Sequence, residues 1–529
     1  MSASNRNDAA AVDRTSPPAD KVKAPLWLHI VKWGLLALTM AAAVHLVTVM
    51  LPQKSWLGIG LVAFVAMGAL VIYSSHRHIP AKYLYPGLLL LLAFQIWPII
   101  YTISMSTTNY GDGHMISKAD AVTSITSSSV EEVPGSKRYK LSVAVPQGSP
   151  AATGELTYLL VDSEGKFHKG TPQGLEDLAT DGVKVGGTAQ KIMEAPGYTI
   201  LKPKEVNARK DLAAFAVPTD NGAIKALGLS EAFEGKPTIT YDAATDTMKD
   251  KAGTVYKVKD ARFVADDGQA LPTGWKENVG GKNFTRLFND QTLRDGFVKI
   301  FVWNLAFAVI SVASTFILGM LLALMFNSDR LKGKGLWRAL LILPYAVPGF
   351  ITALVWMSMF NPGFGLINRM TGLGVDWYTS PLWAKMSILI ANLWLGFPYM
   401  FIVTTGALQS IPNDVKEAAK IDGASQFSTI KNIIMPLLLV SVGPLLVSSF
   451  AFNFNNFSLI WLMTKGGPFL AGNTSLGETD LLITYAFRQA FGASADFGFA
   501  SAVSMLIFVI VALMSTIGFA RTKAWEDVN

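Results

Sequence analysis

Cysteine is absent from this chain of 529 residues. Without a thiol the protein can form neither a disulfide bond nor a thiolate metal site, and cysteine-based nucleophilic catalysis is excluded. Any domain of this chain that lies outside the cytoplasm must therefore be held together by its packed core alone.

Charge is scarce as well. Asp, Glu, Lys and Arg make up 16% of the residues and 51% are hydrophobic, whereas a soluble domain carries roughly 25% charged residues. This balance indicates a polytopic membrane protein with a soluble insert. The net charge of +7 is typical of positively charged cytoplasmic loops. Since no basic patch is interleaved with aromatic residues, we expect no nucleic-acid partner.

Motifs for bond chemistry are missing too. The sequence contains no P-loop pattern, no HExxH, no serine nucleophile motif and no cluster of His, Asp and Glu at metal-ligand spacing. We therefore expect no catalytic site, no metal site and no cofactor in this chain, and no enzymatic activity of its own.

Long uncharged stretches are what the chain has in abundance. Eight of them exceed the ~18–20 residues that a membrane-spanning helix needs. They predict eight transmembrane helices with cores at about 28–50, 56–74, 84–105, 300–326, 338–360, 386–408, 436–462 and 497–520. The polar residues 1–24 indicate a disordered cytoplasmic tail rather than a signal peptide.

A polar segment separates the third and fourth predicted spans. Its stretches "KRYKLSVAVP", "GELTYLLVDSEGKFHKG" and "GTVYKVKDARFVADDG" alternate as strands do and are broken by Asp/Gly turns, although a long disordered loop is the alternative. The predicted fold is an all-α polytopic membrane protein with a β-rich insert domain. Its predicted parts are the tail 1–24, helices one to three in 25–107, the insert 108–296, and helices four to eight in 297–529.

The distribution of Lys and Arg predicts the orientation. With the N-terminus inside, the inner segments carry fifteen of these residues and the short outer segments five. Because basic residues concentrate in cytoplasmic loops, both termini are expected in the cytoplasm and the insert in the periplasm of an inner-membrane protein.

Amides and aromatics, rather than charges, are the polar groups of the predicted spans. "ANLWLGFPYMF" carries Asn392 and Tyr399, and "SSFAFNFNNFSLIW" carries Asn453, Asn455 and Asn456 between phenylalanines. Amides can bind hydroxyls and aromatic faces can stack on sugar rings. The alternative is that the amides join helices and the phenylalanines face lipid. Charged residues are missing near the centres of the predicted spans, and this disfavours an ion-coupled carrier.

The stretch "EAAKIDGASQFSTIKNIIMP" at 417–436 is half polar although it lies between two spans, on the predicted cytoplasmic side. Asn413 and Asp414 favour a helix start, with Glu417 spaced as in a capping box. Gly423 suits a helix end, and a second helix is predicted to lead to Pro436, where the seventh span begins. The alternative is that Glu417 only caps a helix and Gly423 only terminates it.

The spacing of this stretch resembles the EAA loop of ABC importer permeases. The matching residues are Glu417, Ala418, Ala419, Gly423, Ile433 and Pro436, whereas Met435 replaces the usual Leu. Together with the eight spans, the outer insert, "NLWLGFPYMF", "SFAFNFNNF" and "TKGGP", residues 25–525 are similar to the permease subunits of maltose/maltodextrin importers.

The resemblance implies a set of partners. The loop 410–436 would seat a coupling helix in a cytoplasmic ATPase homodimer, which binds ATP and Mg, with Glu417, Ala418, Ala419 and Gly423 at the contact. A second permease subunit would complete the pathway, and the insert would help to hold a periplasmic maltose-binding protein.

The resemblance also implies a binding site for maltose or maltodextrin. Its residues would be Asn392, Leu395, Gly396, Tyr399, Ser449, Phe452, Asn453 and Asn456. The alternatives are a permease for another oligosaccharide and a polytopic membrane enzyme with an outer catalytic domain.

The predicted orientation can be tested in the otherwise cysteine-free chain. We expect Ser163→Cys, in the insert, to react with a membrane-impermeant thiol reagent on intact spheroplasts, and Lys420→Cys to react only after permeabilisation. Labelling of Lys420→Cys but not Ser163→Cys on intact spheroplasts would invert the topology.

Overall fold

Apolar helices dominate the structure, a computed structural model. It describes residues 25–52, 55–75, 79–187, 189–209, 211–213, 215–326, 332–469, 476–492 and 495–526. The predicted disordered tail 1–24 lies outside these ranges. The chain divides into two units, Met1–Ile100 and Tyr101–Asn529.

The first predicted spans are helices in the structure. They are α1 (Leu26–Met50), α2 (Trp56–Ser74) and α3 (Ile79–Leu91), which continues through a π-helical turn (Leu92–Ile96) into α4 (Trp97–Ser106). Pro98 follows this turn by two residues. Because proline cannot donate to the carbonyl four residues earlier, a wider turn at this point lets the helix continue.

The insert is β-rich, as predicted. It begins with α5 (Lys118–Ser128) and also contains α6 (Pro203–Ala208) and α7 (Lys282–Asn289). Its described strands are β1 Val130–Glu131, β2 Arg138–Pro146, β3 Thr157–Val161, β4 Phe167–Thr171, β5 Gly174–Asp177, β6 Lys184–Gly186, β7 Lys191–Glu194, β8 Tyr198–Ile200, β9 Val217–Thr219, β10 Gly222–Leu227, β11 Glu231–Pro237, β12 Ile239–Asp242, β13 Thr247–Asp250, β14 Val255–Lys259 and β15 Arg262–Ala265.

These strands form three antiparallel sheets. The largest has the order β5-β4-β3-β2-β11-β10-β9, with β1 beside β11 and β8 beside β2; β12 to β15 form a meander and β6 pairs with β7. The three stretches with predicted alternation supply β2, β3 with β4, and β14 with β15.

Strand β3 shows how the insert is held together without disulfides. All five of its residues are buried. Tyr158 and Leu160 pack in one hydrophobic cluster, whereas Leu159 and Val161 pack in another with Ile192. Since successive side chains point to opposite faces of a sheet, one apolar strand serves two cores.

A second group of helices follows the insert. Its described helices are α8 Gln291–Phe326, α9 Lys334–Ala346, α10 Gly349–Met359, α11 Leu366–Thr371, α12 Pro381–Ser410, α13 Asn413–Ile421, α14 Gln426–Thr429, α15 Met435–Phe454, α16 Phe457–Met463, α17 Leu482–Phe491 and α18 Phe497–Glu526.

Six helices of the described residues are long and apolar enough to cross a membrane: Leu26–Met50, Ile79–Ser106, Gln291–Phe326, Pro381–Ser410, Gln426–Phe454 and Phe497–Thr522. A seventh candidate is the pair α9 and α10, bent by 89°. Helix α2 is apolar but shorter than these. The protein is therefore polytopic, and the count of eight spans stays a prediction.

The bend between α9 and α10 has a local cause. Val347 is extended, with φ of −84° and ψ of 132°, and Pro348 caps α10. A residue before proline is driven out of the helical region, so the span predicted over 338–360 cannot be one straight helix.

Helices α8 and α12 pack closely because glycine lies at their contacts. A Cβ on Gly319 would lie 2.7 Å from backbone atoms of Met400 and Phe401, and one on Gly396 would lie 2.7 Å from Cγ2 of Thr315. Small residues allow such close approach of spanning helices. This pair is the wall on which the site described next is built.

Candidate functional site

A cavity of about 600 Å³ lies between α8, α9, α10, α12, α15 and α16. All eight residues expected at the sugar site line it: Asn392, Leu395, Gly396, Tyr399, Ser449, Phe452, Asn453 and Asn456. The structure thus brings together residues that are up to 64 positions apart in the sequence. Sugar binding by these residues stays a prediction.

Three amides form a hydrogen-bonded network in the cavity wall. Asn392 Nδ2 donates to Asn453 Oδ1 at 3.0 Å, and Asn456 Nδ2 donates to Asn392 Oδ1 at 3.2 Å. Asn453 Nδ2 also donates to the carbonyl of Ser449 at 2.9 Å. The amides therefore do join helices, as the alternative interpretation held. Each amide has two donors and two lone pairs, so the network retains capacity for a further hydroxyl.

A break in the seventh predicted span places two of these amides. Helix α15 ends at Phe454 and α16 begins at Phe457. Asn453 is therefore the second-last residue of one helix, and Asn456 caps the next by accepting from the N–H of Leu459 at 3.4 Å. Because the helix is interrupted between them, one regular helical turn does not separate these two amides, yet both reach Asn392.

Asn455, at the same break, belongs to a different surface. It lines a separate, mainly apolar cavity of about 330 Å³ with Ile483, Ser504 and Phe508. Its amide donates to the carbonyl of Ala451 at 3.3 Å. The residue is therefore a neighbour in sequence to the amide network without sharing its cavity.

Aromatic side chains supply the flat surfaces of the larger cavity. Phe452 is 72% exposed, and Tyr399 is half-buried. Two further rings, Tyr345 and Phe350, come from the bend between α9 and α10 and were not predicted. The sequence "PYAVPGF" signals a bend, but it does not indicate which cavity the bend faces.

Gly396 contributes to the cavity mainly because it has no side chain. Since a Cβ there would clash with Thr315, its role is to let α12 approach α8. Leu395 adds a half-buried apolar side chain to the same wall.

The predicted coupling stretch forms an exposed helix, α13. Glu417 and Ala418 are exposed, whereas Ala419 is buried at 5% exposure. Gly423 has φ of +77° and follows the helix end, where glycine adopts a left-handed turn without strain. The expected capping box is wrong, because the N-cap is Pro412 and Asp414 already lies in the first turn.

The second part of this stretch differs from expectation as well. Helix α14 runs through a π-helical turn, Ile430–Ile434, directly into α15. The span therefore starts at Gln426 instead of Pro436. The π-helical turn again precedes a proline by two residues, as it does before Pro98, and lets the helix continue past the missing N–H.

The loop between α16 and α17 contains a buried ion pair that was not predicted. Asp480 is fully buried and accepts from Arg488 Nη2 at 2.8 Å, from Thr484 Oγ1 at 2.9 Å and from the N–H of Gly477 at 2.8 Å. The same Arg488 nitrogen donates to the carbonyl of Lys465 at 2.7 Å. These bonds hold the "TKGGP" segment against α17.

The sequence of this chain matches two known protein families. A profile described as "Binding-protein-dependent transport system inner membrane component" matches residues 315–521. A second, described as "N-terminal of TM subunit in PBP-dependent ABC transporters", matches residues 89–173. The first covers the cavity and the coupling stretch.

Full-length relatives are similar throughout. The maltose/maltodextrin transport system permease protein MalF of Escherichia coli (strain K12) is 32% identical, covering 96% of this chain and 100% of that protein. MalF of Vibrio parahaemolyticus is also 32% identical over 100% of both chains. Among solved structures, a bacterial ABC transporter involved in import of the polysaccharide alginate matches with a TM-score of 0.41 and 23% identity, covering 46% of this chain and 84% of that chain.

The buried carboxyl of Asp480 predicts that the stability of the protein depends on pH. Burial raises the pKa of its carboxyl from 3.8 to about 6, against the opposing effect of Arg488. Between these values the native state holds a proton that the unfolded chain has lost, so the free energy of unfolding falls as pH rises. A shift of this size corresponds to about 3 kcal/mol at most.

We therefore expect Asp480→Asn to flatten the pH dependence of stability between about pH 4 and pH 6. The measurement is the apparent melting temperature of the purified protein in detergent across this range. Equal slopes for the wild type and the variant would contradict the assignment.

Proposed function

Because the chain belongs to the binding-protein-dependent transport system inner membrane component family, together with the MalF permeases, we propose that it is a permease subunit of an ATP-driven ABC importer for maltose and maltodextrins. It is a multi-pass inner-membrane protein and a transport subunit without chemistry of its own. The observation that carries the proposal is the cavity lined by Asn392, Asn453, Asn456, Tyr399 and Phe452.

The lining of this cavity suits a neutral sugar. Its volume of about 600 Å³ lies within the range of roughly 300–1,000 Å³ for small-molecule sites. Amides can donate to and accept from hydroxyl groups, and the exposed ring of Phe452 offers an apolar surface to a pyranose face. The lining residues carry no formal charge, so a neutral hydroxylated ligand avoids the cost of an unpaired buried charge.

The exposed coupling stretch supports an ATPase partner. Glu417 is exposed on α13, and the apolar side chains of Ile421 and Phe427 beside it are 86% and 75% exposed. A negative group next to apolar surface suits a protein partner that offers a basic group in a cleft. In our proposal this partner is a MalK-like ATPase homodimer, which binds ATP and Mg.

The remaining assignments concern the second permease subunit, the orientation of the chain and the insert. A second, MalG-like permease subunit completes the pathway, both termini lie in the cytoplasm, and the β-rich insert contributes to holding a periplasmic maltose-binding protein. The charge distribution of the short loops supports this orientation.

The proposed site predicts which amides matter. Loss of one amide partner in the cavity wall costs on the order of 1–3 kcal/mol, so Asn453→Ala and Asn456→Ala should reduce uptake of labelled maltose at low sugar concentration. Tyr399→Ala should reduce it as well, because it removes an aromatic face from the cavity. Membrane levels are checked by immunoblot.

The matched control for this series is Asn455→Ala. It is the same substitution at the same helix break, but its side chain lines the other cavity, so uptake should be retained better. If uptake falls only for Asn455→Ala, or for no variant, the sugar site lies elsewhere.

The coupling proposal predicts that Glu417→Lys leaves the chain in the membrane but abolishes transport and weakens co-purification of the ATPase. The reason is that a lysine places a like charge against the basic group of the partner. Asp414→Lys, the same charge change on the same exposed helix, is the control and should have a smaller effect. If Glu417→Lys retains both transport and co-purification of the ATPase, Glu417 does not contact the ATPase as proposed.

A further inference from the structure

Asn304 is a fully buried amide on α8 that lies outside the lining of the sugar cavity. Its Nδ2 donates to the carbonyl of Phe454 at 3.0 Å, and its Oδ1 accepts from the N–H of Leu482 at 2.8 Å. One side chain thus binds the backbone of two other segments, 150 and 178 residues further along the chain.

Both backbone groups are ones that a helix end leaves without a partner. In an uninterrupted helix the carbonyl of Phe454 would accept from the N–H of residue 458, but α15 ends at Phe454. Leu482 is the first residue of α17, so its N–H has no intrahelical acceptor. Phe454 and Leu482 are themselves fully buried, where water cannot replace the missing bond.

The broken helix is the one that presents the amide network. Asn453 precedes the break and Asn456 follows it, and both bind Asn392. If the break closed into a regular helix, the carbonyl of Phe454 would regain an intrahelical donor and the direction of Asn456 would change. The group that stabilises the freed carbonyl therefore stabilises the position of Asn456.

We propose that Asn304 is a positioning residue that holds the break between α15 and α16 open and thereby places Asn456 in the sugar cavity. The inference rests on the proposed function of that cavity for its effect on transport, but its structural part can be tested without sugar.

The other bond of Asn304 ties the break to a firmly held loop. Leu482 lies two residues after Asp480, and the carboxylate of Asp480 accepts hydrogen bonds from Arg488 and Thr484. Nearby, the carboxylate of Glu478 pairs with Lys299 of α8 and lies 3.4 Å from Lys385 of α12. The start of α17 is thus attached to the same two helices that form the cavity wall. Its bond to Asn304 therefore holds the side chain of Asn304 in place.

The absence of native cysteine allows a direct test of position. Ser448 and Ser458 both line the cavity and are exposed, but Ser448 precedes the break and Ser458 follows it. In the assembled complex, Asn304→Ala should change the rate at which Ser458→Cys reacts with a small thiol reagent by about threefold or more, and leave that of Ser448→Cys nearly unchanged.

Ser311→Ala is the matched control for the loss of a buried polar group on α8. Ser311 is also buried, and its hydroxyl has no hydrogen-bond partner among the described residues. This variant should alter neither labelling rate. If Asn304→Ala prevents assembly, Asn304→Leu replaces it. Leucine keeps the branched shape of the side chain but neither donates to Phe454 nor accepts from Leu482, and it should change Ser458→Cys labelling alone.

Measurements of maltose transport distinguish the positioning role of Asn304 from the proposed function of the cavity. We expect Asn304→Ala to raise the half-saturating maltose concentration about fivefold or more while the maximal rate changes less, since the lost interaction acts on ligand binding. Unchanged labelling at Ser458→Cys, or equal changes at both cysteines, overturns the positioning role. A selective change at Ser458→Cys with normal maltose transport supports the positioning role and contradicts the proposed function of the cavity.

Discussion

Backbone hydrogen bonding within an apolar environment is the constraint on which this structure depends. In a membrane, each N–H and C=O must find a partner inside the protein, so a helix can be interrupted only where something else satisfies the freed groups. The two π-helical turns meet this demand by shifting the hydrogen-bond ladder ahead of a proline. The break after Phe454 meets it with the side chain of Asn304.

The same requirement explains why the amides of the cavity can have two roles. Asn453 and Asn456 both form hydrogen bonds to Asn392, and these bonds give the amides partners within the cavity wall. Because an amide keeps unused donors or acceptors after one or two such bonds, a group that joins helices can also serve a ligand. The two interpretations drawn from the sequence are therefore compatible.

Much of the architecture could be predicted from the sequence, because its signals are local. Uncharged stretches mark apolar helices, alternation marks β2, β3 and β14, and the EAA spacing marks an exposed helix that ends near Gly423. The helix break at Asn455 could not be predicted, since no proline or glycine occurs there. Its cause is a partner on α8, which only the folded arrangement brings into contact.

The cavity residues were expected from family resemblance, whereas Tyr345, Phe350 and the pair of Asp480 with Arg488 were not. Tyr345 and Phe350 depend on the direction of an 89° bend, and Arg488 looks like an ordinary charge of an outer loop. Tyr345 and Phe350 matter because they line the cavity, and Asp480 matters because it is buried against Arg488. The place of a side chain in the fold is a property of long-range packing. Sequence patterns of period two or 3.6 do not report on it.

The continuity of α14 with α15 has a mechanical consequence. From Gln426 to Phe454 the helix contains 29 residues without a gap and is therefore about 40 Å long. Such an element acts as a lever arm between the stretch that carries Phe427 and the wall that carries Asn453. A tilt of about 10° at one end displaces the other by about 7 Å. This is more than the length of a hydrogen bond, so a small rotation at the end that carries Phe427 changes the shape of the cavity.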